Sequence, residues 1–191
     1  MKKKVLTALL LCVVGMSAGA QVSVKTNLLY DATLTVNAGM EFALARKWSV
    51  DVSGNLNAWY VGDQTWKHWM LQPEGRYWFC DRFAGHFVGA HALGGQFNNG
   101  YLNYASDFLG TKFSKLKDNR YQGWYAGAGV AYGYAWALNR HWNLEAEVGA
   151  GWVRSWYDVY DCIDCERLVA ENLRNDYFGL TKAAISLVYV F

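Results

Sequence analysis

The sequence is poor in proline and in long apolar runs, and its charge is nearly balanced. A single proline, Pro73, occurs in 191 residues, beside 19 glycines, 10 tryptophans and 13 tyrosines. The net charge of +2 excludes the basic footprint of a nucleic-acid-binding domain. No apolar run approaches the roughly 20 residues that a membrane-spanning helix needs. So many aromatic and small residues are unusual for a soluble protein.

The N-terminus has the three parts of a secretory signal. Three lysines at 2–4 precede an apolar run over 5–14 and a small-residue stretch over 15–20, as in exported proteins. We predict a cleaved signal peptide over 1–20 and one mature domain over 21–191. Cys12 follows Leu11 rather than a small residue, so a lipoprotein is not predicted. Without the three leader lysines, 15 basic residues face 16 acidic ones, a net charge of −1.

Apolar residues recur at every second position in segments of the mature chain, a pattern that predicts β-strands. In each strand one set of alternate positions, one parity, is apolar, and the other is small, polar or charged. In the clearest segment, Val36, Met40 and Phe42 share one face. The eight predicted strands are residues 22–30, 34–44, 48–60, 68–79, 86–98, 124–138, 142–152 and 177–191. Pro73 removes a ladder donor, so a bulge or local irregularity is expected there. In 86–98 both parities are mixed, and the pattern does not decide which one faces inward.

Barrel size decides which face points outward. Eight strands enclose an interior just wide enough for side chains, so the large apolar residues must face lipid. The interior then holds a predicted polar network of Lys25, Glu41, Asp51, Glu74, Arg76, Glu145, Glu147 and Lys182. The predicted fold is all-β, an eight-stranded antiparallel up-and-down transmembrane β-barrel with OmpA/OmpX-like architecture. It is expected to be integral to the outer membrane of a Gram-negative bacterium.

The connections alternate between short and long. Three short ones at 45–47, 81–82 and 139–141 each contain arginine and are predicted to be periplasmic turns, with the N-terminus on the same side. Two long ones, 99–120 and 157–176, are predicted to be extracellular loops. Phe191 ends an apolar strand and has the character of the terminal aromatic that the outer-membrane assembly machinery recognises.

Several stretches resemble an uncharacterised outer-membrane β-barrel family of Bacteroidetes-type bacteria, whose genes often lie near fimbrial and cell-surface loci. The matching stretches are residues 25–33, 68–69, 72–74, 76–80, 85–87, 95–98, 121–124 and 177–183. Together they span nearly the whole mature chain. The resemblance implies a barrel in the outer membrane and no defined biochemical activity.

One compact motif could carry chemistry, the pair Cys162 and Cys165. A reactive thiol needs a positive neighbourhood, whereas Asp158, Asp161 and Asp164 lie close in sequence. A zinc site would need a second pair of good ligands. An exported loop lies in an oxidising compartment, so a local disulfide is favoured over a metal site or redox chemistry. Cys80 is left over near a periplasmic turn.

Histidines and carboxylates raise the question of catalysis. His68 and His91 are the candidates for a rim active site, but Asp63 and Asp107 show no recognisable catalytic spacing. We interpret both histidines as hydrogen-bonding residues at the rim or in the interior. Paired glutamates such as Glu145 and Glu147 fit internal ion pairs more simply than acid–base catalysis. No catalytic, cofactor-binding or metal-binding residue is predicted, and no cofactor.

The two long loops carry opposite charge and exposed aromatics. Basic residues predominate in 99–120 and acidic residues in 157–176, and 165–173 has the spacing of a short helix. The loop residues proposed to contact a partner are Tyr101, Tyr104, Phe108, Phe113, Lys112, Lys115 and Lys117. Exposed aromatics favour a packed or partner-binding surface.

Two functional hypotheses follow. In the first, the barrel anchors loops with a structural or interaction role, toward an envelope or fimbrial protein partner. In the second, it is an outer-membrane enzyme acting on lipid or peptide at the rim. A small-solute pore is disfavoured because eight strands leave no open lumen. The expected partners are therefore outer-membrane lipid and an envelope protein, with no nucleic acid.

Overall fold

The computed structural model describes residues 21–61, 64–100, 119–161 and 168–191. In this part of the chain, eight antiparallel strands follow one another around a closed barrel, and the last pairs with the first. The strands are β1 Val22–Asn27, β2 Val36–Ala45, β3 Trp48–Val61, β4 Gln64–Trp78, β5 Gly85–Gly100, β6 Arg120–Ala137, β7 Trp142–Tyr160 and β8 Leu168–Val190; a helix, α1 Leu28–Ala32, follows β1. The predicted all-β, eight-stranded architecture is confirmed. No helix among the described residues is long and apolar enough to cross a membrane.

The strands are staggered around the ring. A row of paired residues that starts at Ser23 runs through Glu41, Asp51, Glu74, His91, Gly129 and Gly151 to Gly179. Ser23 itself pairs with Val190, eleven positions further along β8. Strand tilt and stagger are linked in a closed barrel, so this offset accompanies tilted strands and a narrow interior.

Alternation along the strands places the polar parity inside. Glu41, Asp51 and Arg76 are buried, whereas Val36, Val130 and Phe178 are 66, 67 and 80 % exposed on the outer wall. The structure also decides the facing of β5, because Phe87 and His91 are buried and Val88 is exposed. The outer surface is therefore apolar and the interior polar.

Several strand ends differ from prediction. Residues 28–30 are helical instead of extended, because Asn27 caps α1 by accepting a hydrogen bond from the Leu29 amide at 3.1 Å. The predicted loop over 157–176 is wrong at both ends, since β7 continues to Tyr160 and β8 begins at Leu168. The short helix predicted over 165–173 is also wrong where it is described, because residues 168–173 are strand.

Pro73 does not produce a bulge. Its neighbours keep one register against β5, with Leu71 opposite Gly94 and Glu74 opposite His91. Toward β3, Pro73 pairs with Val52 without any shift. The missing amide thus interrupts the ladder without displacing the strand, and the predicted irregularity is confined to a local gap in pairing with β5.

A true bulge lies in β8. Gly149 pairs with Lys182 and Ala150 with Leu180, which leaves Thr181 as the extra residue. A bulge changes which parity faces inward. Below it, toward the C-terminus, Ile185 is exposed and Ser186 buried, whereas above it Phe178 and Leu180 are exposed. Thr181 and Lys182 therefore both reach the interior side.

An apolar cluster closes the end of the barrel that carries the short turns. It consists of Ala43, Trp78, Phe83, Phe87 and Ala135. The Trp78 and Phe87 rings lie 4.6 Å apart between centroids, and the Trp78 indole donates to Ser49 at 2.8 Å. The prediction that large aromatics face the outer wall is wrong for Trp78, whereas the facing of Phe87 was left open by the sequence. We call this cluster the aromatic plug.

The plug requires a glycine on the facing strand. A Cβ on Gly133 would overlap the Phe87 ring, whereas a Cβ on Gly75 would meet nothing within 4 Å. We expect Gly133→Ala to lower the free energy of unfolding by about 1–3 kcal/mol because of overpacking, and Gly75→Ala to leave it nearly unchanged. Urea unfolding of the two variants in detergent, followed by tryptophan fluorescence, measures the difference. Equal unfolding midpoints would show that the Phe87 ring can move aside at no cost in stability.

Candidate functional site

The eight predicted interior residues form one buried ionic cluster. Six strands contribute to it: β1 (Lys25), β2 (Glu41), β3 (Asp51), β4 (Glu74, Arg76), β7 (Glu145, Glu147) and β8 (Lys182). The side chains of all eight residues take part in ion pairs, and each is at most 7 % exposed. Removing charges from water is costly unless they are paired, and here each charge has a partner.

Arg76 lies at the centre of this cluster. Its Nε donates to Glu74 at 2.7 Å and its Nη2 to Glu147 at 2.7 Å. Its Nη1 lies 2.8 Å from Glu41 and 3.1 Å from Glu145. The guanidinium also stacks over the Phe87 ring, with 4.5 Å between Cζ and the centroid. A planar guanidinium with five donors can join four carboxylates in this way.

Two lysines complete the pairing from opposite sides. Lys25 Nζ lies 2.7 Å from Glu41, 2.9 Å from Asp51 and 3.4 Å from Glu145. Lys182 Nζ lies 2.7 Å from Glu74 and 3.0 Å from Glu147. The cluster therefore ties β1 to β2, β3 and β7, and β8 to β4 and β7, across the barrel interior.

His91 extends the cluster upward, away from the aromatic plug. Its Nε2 lies 2.9 Å from Thr181 Oγ1 and its Nδ1 3.5 Å from Glu74 Oε2. Thr181 reaches this position because of the bulge in β8. His91 was a predicted hydrogen-bonding residue, whereas Thr181 was not predicted, although the apolar parity changes between Leu180 and Ala183. The order hydroxyl, imidazole, carboxylate resembles a catalytic triad, but His91 is only 3 % exposed. The other candidate, His68, lies on β4 opposite Asn57, and the pairing brings it to none of these groups.

Beyond the barrel end opposite the plug, β7 and β8 continue as a hairpin. Arg154 donates to Asp176 at 2.8 and 3.1 Å, and Asp158 accepts from the Asn172 amide at 2.8 Å. The Trp124 and Trp156 rings are stacked 4.0 Å apart. These contacts explain why residues 168–176, which have no regular apolar alternation, form a strand.

Several predicted residues lie outside the described part of the chain. They are the signal peptide over 1–20, the pair Cys162 and Cys165, and the loop candidates Tyr101, Tyr104, Phe108, Phe113, Lys112, Lys115 and Lys117. The disulfide and the loop contacts stay predictions. Among the described residues, Cys80 is an exposed free thiol, and no group of three or more His, Cys, Asp or Glu side chains is placed to hold a metal.

The closed eight-stranded fold, with an ionic interior and an apolar outer wall, places the protein in the class of small antiparallel β-barrels. Within that class, the chain belongs to the family described as "Protein of unknown function (DUF3575)", whose model matches residues 5–191. A search of curated proteins finds no match.

Proposed function

We propose that this barrel is an integral outer-membrane protein. The observation that carries the proposal is the outer wall, where large apolar side chains are exposed on every strand. Monomeric soluble proteins rarely expose apolar patches beyond a few hundred Å². Charges inside and apolar residues outside are the arrangement of barrels that face lipid.

Aromatic residues at both ends of the wall support the same proposal. At the end with the short turns, Trp48, Phe79, Trp136, Trp142 and Phe191 are exposed. At the other end, Trp69 pairs with Gln96, which pairs with Trp124, which pairs with Trp156. Two residues further along each strand, away from the plug, the next outward-facing residues are polar. They are Lys67, Asn98, Gln122 and Asp158. Two aromatic girdles around an apolar band are typical of outer-membrane barrels.

We infer an anchoring role, in which the barrel holds an extracellular surface for contact with an envelope or fimbrial protein. Support comes from the asymmetry of the two ends. The plugged end has short turns, whereas at the other end β5 and β6 pair as far as Gly100 and Arg120, and β7 and β8 as far as Tyr160 and Leu168. In the described part of the chain, β1 pairs with β8 only over 186–190, so the upper part of β8 has β7 as its only strand neighbour.

The alternative, an enzyme at the rim, has less support. His91, Thr181 and Glu74 have the chemical types of a hydrolytic triad, but Glu74 is already bound by Arg76 and Lys182. A substrate would have to reach a histidine that is 3 % exposed. These three residues are better explained as structural.

The anchoring role is tested by crosslinking in intact outer membranes. Gly100 and Arg120 pair directly, so a short turn can replace residues 101–119 without changing the strand ends. We expect a specific envelope protein to be crosslinked to the intact chain and lost with this variant. A variant with residues 62–63, between the paired Val61 and Gln64, replaced by Asn-Gly is the control for general loop damage. Absence of any crosslinked protein from intact chain and control alike would overturn the anchoring role.

A further inference from the structure

The upper part of β8 has one edge without a strand beside it. β1 pairs with residues 186–190 of β8 and ends at Asn27. The Asn27 side chain extends this ladder, since its Nδ2 donates to the Ala183 carbonyl and its Oδ1 accepts from the Ile185 amide, both at 3.2 Å. Further up, the only strand beside β8 in the described part of the chain is β7. We call the β1-facing side of residues 174–180 the open edge.

Phe178 and Leu180 direct their backbone groups to the open edge. Along a strand, the face taken by a side chain and the edge to which that residue's own N–H and C=O point alternate together. Phe191 is exposed on the outer wall, and its amide donates to Val22 of β1 at 3.0 Å. Ile185 is exposed in the same way, and its amide also points toward β1. The exposed Phe178 and Leu180 therefore present N–H and C=O groups on the β1 side, where no hydrogen bond from a described residue reaches them.

The open edge reaches into the apolar band of the outer wall. Val130, midway between the two aromatic girdles on β6, pairs with Ala150, which pairs with Leu180. In hydrocarbon no water is available to unpaired N–H and C=O groups, so open sheet edges that face lipid do not occur. In the proposed membrane location, the open edge therefore requires a cover that forms hydrogen bonds.

The geometry of the open edge selects an extended chain as this cover. α1 follows Asn27 directly, but a helix bonds its backbone groups within itself and cannot continue the ladder. Lipid chains have no hydrogen-bonding groups at all. An extended backbone presents donors and acceptors at the repeat of a strand edge. It would also cover Phe178, which at 80 % is the most exposed large apolar side chain among the described residues.

We propose that the open edge binds an extended segment of another protein, which adds to β8 as a further strand in line with β1. This inference rests on the proposed anchoring role and gives it a contact within the barrel wall. When a strand adds to a sheet edge, backbone hydrogen bonds give affinity and alternate side chains give specificity. The segment that fits has apolar side chains at alternate positions, which face lipid beside Phe178 and Leu180, and small or polar side chains between them, which face the interior.

The test uses a synthetic peptide and the purified barrel in detergent micelles. The peptide has about ten residues, the length of a membrane-spanning strand, with valine and threonine alternating and one central photoreactive benzophenone residue. After irradiation, mass spectrometry maps the crosslinked residues, and we expect them to concentrate on 174–182 of β8. The control peptide has the same sequence with every backbone nitrogen methylated, so it has no donors for the edge. We expect it to label this segment at least about tenfold less, because several hydrogen bonds are lost.

Equal labelling by the two peptides, or an even spread of crosslinks over the outer wall, would overturn the proposal, because apolar partition alone would then explain binding. Absence of any crosslink to β8 would also overturn it. If the envelope protein is still crosslinked through residues 101–119 in that case, the strand site is wrong and the anchoring role stands.

Substitutions at Phe178 assign the labelling to the open edge. Phe178→Pro removes the N–H that points to this edge and no hydrogen bond to β7, so the barrel should fold, as proline is tolerated on that side of an edge strand. We expect labelling of 174–182 to fall by about tenfold. Phe178→Ala keeps the N–H and is the matched control, with labelling close to wild type. Should Phe178→Pro not fold, the comparison of the two peptides decides the proposal.

Discussion

Arg76→Ala is expected to lower the free energy of unfolding by about 3–5 kcal/mol, a large fraction of the total stability of a small domain. The substitution removes one cation from four carboxylates, each within 3.1 Å of the guanidinium. Because these carboxylates stay buried and only Lys25 and Lys182 remain to pair with them, the repulsion among the carboxylates increases. It also removes the guanidinium from its contact with Phe87 in the aromatic plug.

The matched control for Arg76 is Arg46→Ala. Arg46 also faces a carboxylate, Asp81 at 3.4 Å, but its side chain is 85 % exposed, and exposed pairs contribute at most about 1 kcal/mol. Arg76→Lys should fall between the two, because lysine keeps the charge but lacks the planar fork. Heat-induced unfolding in detergent, followed by the mobility shift of the folded barrel in gels, ranks the three. An Arg76→Ala barrel as stable as Arg46→Ala would mean that the interior is solvated.

The architecture was predictable because it follows from two local properties, period-two alternation and the width of an eight-stranded interior. The same properties place Glu41, Asp51 and Arg76 inside, since each lies on the polar parity of its strand. Which carboxylate pairs with which cation was not predictable, because Lys25 and Glu145 meet across the barrel. That contact depends on stagger and closure, which no local pattern encodes.

Strand ends were harder to predict than strand cores. Residues 168–176 include Glu171, Asn172, Arg174 and Asp176, a composition typical of a loop. They form a strand, interrupted by a positive φ at Asn172, because β7 pairs with them and because Arg154 binds Asp176. These contacts join residues that are distant in sequence. Outside the apolar band, side-chain parity no longer reports on strand structure, because both faces meet water.

Two features of the sequence do indicate structure that the predicted strands lack. Trp78 shares its parity with Glu74 and Arg76, so it had to face inward with them and close the barrel at that end. The exposed pair Phe178 and Leu180 lies on even positions, whereas Ile185 and Leu187 lie on odd ones. Such a change of parity within one strand indicates a bulge, and here it brings Thr181 to His91.

Val130→Arg is expected to remove most of the folded protein from the outer membrane. Val130 is 67 % exposed on the outer wall, midway along β6 between Trp124 and Trp136. If the wall faces lipid, an arginine at this depth costs about 2–4 kcal/mol, whereas near either interface it costs about 0–1. In a barrel whose wall faced water, the same arginine would be harmless.

Gln122→Arg is the control for this substitution, since Gln122 lies on the same strand and the same exposed parity, beyond Trp124. The measurement is the amount of heat-modifiable, folded barrel in isolated outer membranes for wild type and both variants. We expect Gln122→Arg to match wild type and Val130→Arg to fall well below it. Equal amounts of the two variants would show that the apolar wall is not in contact with lipid. That result would overturn the proposal that the barrel is integral to the outer membrane.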